Sequence, residues 1–134
     1  MASLDTLFEA AKAIQAKAYA PYSRFKVGAA IATSDGRIFA GCNVENAAYP
    51  VGSCAEAGAI SAMIAAGANR IAEIVVMGEG EHLVTPCGGC RQRIREFAAP
   101  DTPIYIAGPE GIRKRFTLDE LLPFSFGPDN LTDR

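Results

Sequence analysis

The chain has 134 residues, of which 49% are hydrophobic and 21% charged, and its formal net charge is −2. This length and composition are typical of one globular domain whose core needs no disulfides, so we expect a single domain over residues 1–134. The slight acidic excess provides no basic stripe for a phosphate backbone, and no apolar run reaches roughly 18 residues, so we expect neither a nucleic-acid nor a membrane partner.

The N-terminal third predicts one helix followed by a β-hairpin. Apolar residues recur at helical spacing over residues 4–18, and Ser3 is suited to the N-cap. Over residues 25–31 apolar residues alternate instead, residues 34–36 (Ser-Asp-Gly) predict a turn, and residues 37–44 can return as an antiparallel strand.

The rest of the chain alternates between strands and helices. Residues 45–53 predict a loop, after which an Ala-rich helix is expected over Cys54 to Ala66 with Ser53 as its N-cap. The later elements are a strand at 74–77, a helix that begins at Pro86 or Cys87, a strand at 103–107 and a short helix at 118–122. This order predicts an α/β layered domain with a mixed sheet and helices on both faces.

The four cysteines favour metal binding or catalysis over disulfides. Two disulfides would suit a small secreted domain, but Asp5 and Glu9 near the N-terminus do not match a secretory signal, so we expect an unprocessed, cytoplasmic protein. Cys87 and Cys90 are close enough in sequence to bind one ion from the first turn of a helix. That pair alone could equally be a redox dithiol, half of a structural zinc site or two packed thiols.

A third cysteine and a carboxylate make the metal hypothesis more specific. Cys54 and Glu56 stand at the predicted start of the other helix, and helix N-termini stabilise thiolates. Three protein ligands leave the fourth tetrahedral position of zinc to water, which is typical of catalytic zinc. Glu56 is then well placed to accept a proton from that water.

These motifs resemble those of the cytidine deaminase family, in which a Cys or His, one residue and Glu are followed by Pro-Cys-x-x-Cys. The resemblance extends over nearly the whole chain. It includes Pro21-Tyr22-Ser23-Arg24-Phe25, Val27-Gly28-Ala29-Ala30, Asn43-Val44-Glu45-Asn46-Ala47, Tyr49-Pro50, Cys54-Ala55-Glu56, Pro86-Cys87-Gly88-Gly89-Cys90-Arg91-Gln92 and Leu121-Leu122-Pro123.

The resemblance implies a three-layer α/β/α fold with a mixed five-stranded sheet and a zinc-dependent hydrolytic deaminase for cytidine and deoxycytidine, used in pyrimidine salvage. Zn²⁺ would be held by Cys54, Cys87 and Cys90, and Glu56 would move protons between water, N3 and the leaving amine. The other implied roles are contact with the base for Phe25, hydrogen bonds to the ribose for Asn43 and Glu45, and backbone contacts to the cytosine edge for Ala55 and Cys87.

The resemblance also implies a homotetramer in which neighbouring subunits complete each pocket, with Tyr49 and Phe126 reaching across. One position departs from the family pattern: many relatives have Arg directly after Cys-Ala-Glu, and this chain has Ala57. We therefore expect helix dipoles and another group, such as Arg91, to offset the charge of the thiolates.

Several alternatives stay open at this stage. Cys42 is expected to be a small packed residue, but as a fourth ligand it would convert the site into structural zinc. The only histidine, His82, is expected in an exposed polar loop, and the three arginines at 91, 93 and 95 on a solvated helix surface. A deaminase of another amino-heterocycle, such as a nucleoside antibiotic, would share the same zinc chemistry.

Overall fold

The computed structural model describes residues 3–132, so the outermost residues of the predicted 1–134 domain lie outside the described part. The helices are α1 (Leu4–Gln15), α2 (Ala55–Ala65), α3 (Gly88–Phe97), α4 (Leu118–Leu121) and α5 (Pro128–Thr132), and Tyr49–Val51 forms a short 3₁₀ turn. The strands are β1 (Gly28–Thr33), β2 (Ile38–Cys42), β3 (Ile71–Met77), β4 (Pro103–Gly108) and β5 (Gly111–Thr117). Within residues 3–132 no helix has the length and apolar character needed to cross a membrane.

All five strands form one mixed sheet in the order β2-β1-β3-β4-β5. The predicted hairpin is confirmed, because β1 and β2 pair antiparallel with Gly28 opposite Cys42. β3 and β4 are parallel, with Ile74 opposite Ile104, whereas β1 with β3 and β4 with β5 are antiparallel. The parallel pair is connected through α3, so Cys87 and Cys90 follow a loop at the end of β3.

The two faces of the sheet carry separate apolar cores, as the alternation of strand residues requires. Ile31, Ile74 and Ile104 point to one face and pack with buried residues of α2, α3 and α4. The opposite face, with Ala30 and Val75 among its buried residues, packs against α1. Helices therefore cover both faces, which confirms the predicted three-layer α/β/α architecture.

Two glycines allow the helices to approach the sheet closely. A Cβ at Gly28 would lie 2.4 Å from the Ala11 carbonyl oxygen of α1. A Cβ at Gly41 would lie 2.3 Å from the Ala59 nitrogen and 2.5 Å from the Ala55 carbonyl oxygen of α2. The backbone contact at Gly41 fixes the first turns of α2, and with them the position of the Cys-Ala-Glu motif.

The element boundaries differ from the prediction by up to three residues at most strands and, more importantly, at the helices and the C-terminal elements. Ser3 caps α1 as predicted, but the helix ends at Gln15 although its apolar spacing continues to Ala18. The N-cap of α2 is Cys54, so the prediction of Ser53 was wrong: Ser53 forms an isolated bridge with Val44 and its backbone is held there. The pattern also gave no sign of β5 or α5, because β5 is an edge strand with many exposed polar side chains.

Candidate metal centre and adjoining pocket

Two helix starts bring three cysteines together. Cys54 is the N-cap residue of α2 and Cys87 that of α3, and neither side chain caps its own helix. Cys90 follows in the first turn of α3 and is fully buried. The three Sγ atoms lie within 4.8 Å of one another, and the Cys54 and Cys87 sulfurs are 3.9 Å apart. The predicted three-cysteine cluster is therefore present.

The spacing of the sulfurs fits one zinc ion. Tetrahedral zinc with Zn–S distances of about 2.3 Å holds two sulfurs roughly 3.8 Å apart. The Cys54–Cys87 sulfur distance of 3.9 Å meets this requirement, Cys90 lies close enough to complete the set, and soft thiolate donors suit zinc. Cys54 and Cys87 also line an open pocket, which leaves room beside the thiols for water or a small molecule.

The surroundings of the three thiols affect their ionisation in different ways. Burial raises the pKa of Cys54 and of Cys90. The pKa of Cys87 is lowered, first by a hydrogen bond from the backbone N–H of Cys90. A coordinated metal ion deprotonates thiols outright, which overcomes the effect of burial. A metal ion bound at this site would therefore hold all three cysteines as thiolates.

Glu56 lies in the first turn of α2, immediately beside the thiols. It is 4% exposed and is the only charged residue among the buried ones in the described part of the chain. Desolvation by burial raises the pKa of its carboxyl group, and hydrogen bonds from its own backbone N–H and from Cys90 oppose this only in part. A carboxyl group of raised pKa that faces a pocket is suited to both accepting and donating a proton.

The pocket beside the thiols has a volume of about 330 Å³, within the range of small-molecule sites. Its walls are Val27, Asn43, Val44, Glu45, Gly52, Ser53, Cys54, Ala55, Glu56, Val76, Val84, Thr85 and Cys87. The thiols and Glu56 occupy one region, and the polar pair Asn43 and Glu45 also lines the pocket. The structure therefore brings six of the predicted site residues to one cavity, with Cys90 buried behind them.

Both members of this polar pair are held in place by backbone groups. The Asn43 side chain accepts a hydrogen bond from the Val27 N–H at 2.9 Å and donates one to the Phe25 carbonyl at 2.8 Å. Glu45 accepts from the backbone N–H groups of Tyr22 and Ser23 and from the Ser23 hydroxyl. These Ser23 hydrogen bonds also lower the pKa of Glu45, so it is held as a fixed anion with acceptor capacity left for a ligand.

Three predicted substrate residues do not line this pocket. Phe25 is 39% exposed, Tyr49 75% and Phe126 59%. Tyr49 instead lines an adjoining hollow together with Glu45 and packs edge-on against Tyr22, with ring centroids 6.1 Å apart. The roles of these aromatic residues in substrate binding stay predictions.

The expectation that Arg91 offsets the thiolate charge is wrong. Its guanidinium donates hydrogen bonds to the Pro86 and Leu121 carbonyls and to the Thr85 hydroxyl. Arg91 therefore holds the segment before Cys87 in place. Arg93 instead donates to the Cys90 sulfur at 3.4 Å.

The prediction that these arginines lie on a solvated helix surface is wrong for Arg95 as well. It is hydrogen-bonded to Ser125 and ion-paired with Asp129.

Two other predictions are confirmed. Cys42 is a half-buried residue of β2 and does not belong to the thiol cluster, which removes the fourth ligand needed for closed structural zinc. His82 is exposed in the loop after β3.

Val76, Val84 and Thr85 also form part of the pocket wall, but the sequence carried no signal for this role because nothing in it shows which loop faces the cavity.

Comparison with known proteins agrees with the geometry. Residues 1–106 match the family model of the cytidine and deoxycytidylate deaminase zinc-binding region. The chain is 37% identical over 129 residues to a cytidine deaminase from Sporosarcina psychrophila, covering 96% of this chain and 95% of that protein. It is 40% identical over 124 residues to a cytidine deaminase from Halalkalibacterium halodurans, covering 91% and 94%.

A solved structure gives the same result for the fold. The crystal structure of cytidine deaminase from Burkholderia pseudomallei superposes with a TM-score of 0.87 at 44% sequence identity, covering 93% of this chain and 100% of that chain. The sequence match includes the part of the chain that carries all three thiols and Glu56. The chain therefore belongs to the cytidine and deoxycytidylate deaminase family.

Proposed function

We propose that the protein catalyses the zinc-dependent hydrolysis of cytidine and deoxycytidine to uridine and deoxyuridine with release of ammonia. The observation that carries this proposal is the placement of buried Glu56 beside three thiols that fit one zinc ion, at a pocket that also holds Asn43 and Glu45. Family membership and the named cytidine deaminases among its relatives support the same reaction.

Each group of the site has a distinct task. Cys54, Cys87 and Cys90 would hold the ion, which would make water acidic enough to serve as a nucleophile near neutral pH. Glu56 accepts the proton from the attacking water and delivers it to N3 of cytosine while the water oxygen bonds to C4. Glu56 then takes the proton of the new C4 hydroxyl group and carries it to the exocyclic nitrogen. The C4–N4 bond breaks, ammonia leaves and the C4 carbonyl of the product forms.

The raised pKa of Glu56 suits this double role. Burial raises the pKa of Glu56, so this carboxyl group holds a proton more readily than an exposed carboxyl group does, which suits it to accept a proton and then to donate it.

The remaining predictions belong to the same proposal. Asn43 and Glu45 would bind the ribose hydroxyls, and the backbone of Ala55 and of Cys87 the cytosine edge. The exposed rings of Tyr49 and Phe126 support a homotetramer in which they reach neighbouring pockets, with Phe25 against the base once the assembly forms. We further propose that residues 1–134 form one domain and that the enzyme acts in the cytoplasm.

The first test follows the absorbance loss of cytidine on deamination, together with metal quantification, for the wild type and for Glu56→Gln and Glu56→Ala. We expect kcat to fall by about 10²- to 10⁴-fold in both variants while roughly one zinc per chain is retained. Glu56→Gln is the matched control because it keeps the shape of the side chain without the ability to shuttle a proton. Zinc-loaded wild type that turns over neither nucleoside would refute the proposal and point to another amino-heterocycle.

A second measurement tests the ribose contacts. Cytosine lacks the sugar but keeps the reacting atoms, so its kcat/KM should be lower than that of cytidine by on the order of 10²-fold or more. Equal kcat/KM values for cytosine and cytidine would contradict the role assigned to Asn43 and Glu45.

A further inference from the structure

The charge of the thiol centre needs a cation near it. Three thiolates and one Zn²⁺ sum to −1, and ionised Glu56 adds a further negative charge in a partly buried site. The N-termini of α2 and α3 each contribute roughly half a positive charge. A full positive charge close to the sulfurs would stabilise the loaded centre further.

Arg93 is placed to provide this charge. It stands on α3 three residues after Cys90, and its Nη1 donates to the Cys90 sulfur at 3.4 Å. The side chain thus turns back toward the N-terminus of α3, the end at which the helix dipole disfavours a cation. The first turn of α3 contains no acidic residue that would explain this orientation.

The neighbouring arginines are engaged elsewhere. Arg91 donates to two backbone carbonyls and to Thr85, and Arg95 binds Ser125 and Asp129. Within residues 3–132, Arg93 is the cationic side chain with a hydrogen bond to a thiol of the cluster.

The other helix leaves the equivalent position without a charge. Ala57 follows Cys54 by three residues on α2, as Arg93 follows Cys90 on α3, and side chains three residues apart on a helix are neighbours. A cation at position 57 would therefore face the thiols from α2. In this chain only α3, and not α2, has a cation three residues after its cysteine.

We propose that Arg93 is a positioning residue that stabilises the three-thiolate zinc centre by neutralising its charge and by orienting the Cys90 thiolate. This inference rests on the zinc loading of the proposed function, but not on cytidine being the substrate. Removing the charge should make the bound thiolates more nucleophilic, because their electrons are held less tightly.

The test uses Arg93→Gln, Arg93→Lys and the double variant Arg93→Gln with Ala57→Arg, with Arg115→Gln as the control on exposed β5. The zinc-loaded proteins are treated with iodoacetamide, a neutral alkylating reagent, and zinc release is followed with a chromogenic chelator. Release from Arg93→Gln should be faster on the order of tenfold, after allowance for solvent screening. Arg93→Lys and the double variant should release zinc at close to the wild-type rate.

A spectroscopic readout separates charge from packing. In cobalt-substituted Arg93→Gln the thiolate-to-cobalt charge-transfer band should move to longer wavelength, and Arg93→Lys should return it toward the wild-type position. The inference is overturned if release and band are unchanged in Arg93→Gln, if Arg115→Gln alters them equally, or if the metal-free variant loses as much thermal stability as the loaded one. If zinc release and the cobalt band change as expected but the protein does not turn over cytidine, only the proposed substrate is rejected.

Discussion

Replacing Gly41 by alanine tests whether the close contact between β2 and α2 sets the position of the catalytic groups. The new Cβ would lie 2.3 Å from the Ala59 nitrogen and 2.5 Å from the Ala55 carbonyl oxygen. Unstrained contacts of a carbon atom need roughly 3.5 Å, so the strand and the helix would have to separate by about 1 Å. Both neighbours are backbone atoms, and therefore no rotamer change can relieve the overlap.

The expected loss has two parts. Overpacking of this kind lowers the free energy of unfolding by about 1–3 kcal/mol, measured by urea denaturation of the zinc-loaded protein. A displacement of α2 by about 1 Å also moves Glu56 relative to the substrate, and such a displacement can reduce kcat/KM on the order of 10²-fold. We expect the reduction to fall mainly on kcat.

Gly58→Ala is the matched control, because this glycine faces the same contact from the helix side. Its new Cβ would meet Gly41 Cα at 3.5 Å, an ordinary contact. Alanine is also the better helix former, so the variant should be as stable as the wild type or more stable by about 0.4–1 kcal/mol. Wild-type stability and activity in Gly41→Ala would refute the idea that backbone contact positions α2.

Three further predictions concern the surroundings of the site and a distant turn. Arg91→Gln should lower the free energy of unfolding by about 1–3 kcal/mol and weaken zinc retention against a chelator, because the Pro86 carbonyl loses its donor; unchanged zinc retention would contradict this. Removing zinc with a chelator should lower the Tm and added zinc should restore it, since the ion joins two helix starts. The hydrogen bond from Arg37 lowers the pKa of Asp35 from 3.8 to about 2, so its stabilising effect is present above pH 3.8 and lost toward pH 2. Asp35→Asn should flatten that part of the Tm-versus-pH curve, and a variant that kept the wild-type slope would argue against this pairing.

The sequence predicted the layers and the metal centre because both depend on local patterns. Alternation over residues 25–44 identified the hairpin, and the short spacing within Cys54-Ala-Glu56 and Cys87-x-x-Cys90 identified the chemistry. Each motif lies at the start of a helix, and helix starts have recognisable signals in a sequence. That the two motifs meet is a consequence of β3 lying between β1 and β4 in the sheet.

What the sequence could not supply was the direction of individual side chains. Arg91 and Arg93 are both arginines on α3, a residue type that is usually exposed to solvent. Only the packing shows that Arg91 donates to backbone carbonyls and Arg93 to a thiol. Ser53 is a better N-cap residue than Cys54, but its backbone bridges Val44 and the helix begins one residue later. Tertiary contacts outweigh local preference in each case.

The edge strand β5 has a consequence for how copies of the chain can associate. Lys114 and Arg115 stand next to each other on this outer strand, and adjacent cations oppose pairing with a second sheet edge of the same kind. Continuation of the sheet through β5 from one copy of the chain to the next is therefore disfavoured, which favours contact through other surfaces, such as those that expose Tyr49 and Phe126. In the proposed assembly each copy of the chain then keeps its own five strands, so separation of the copies on dilution should release folded monomers.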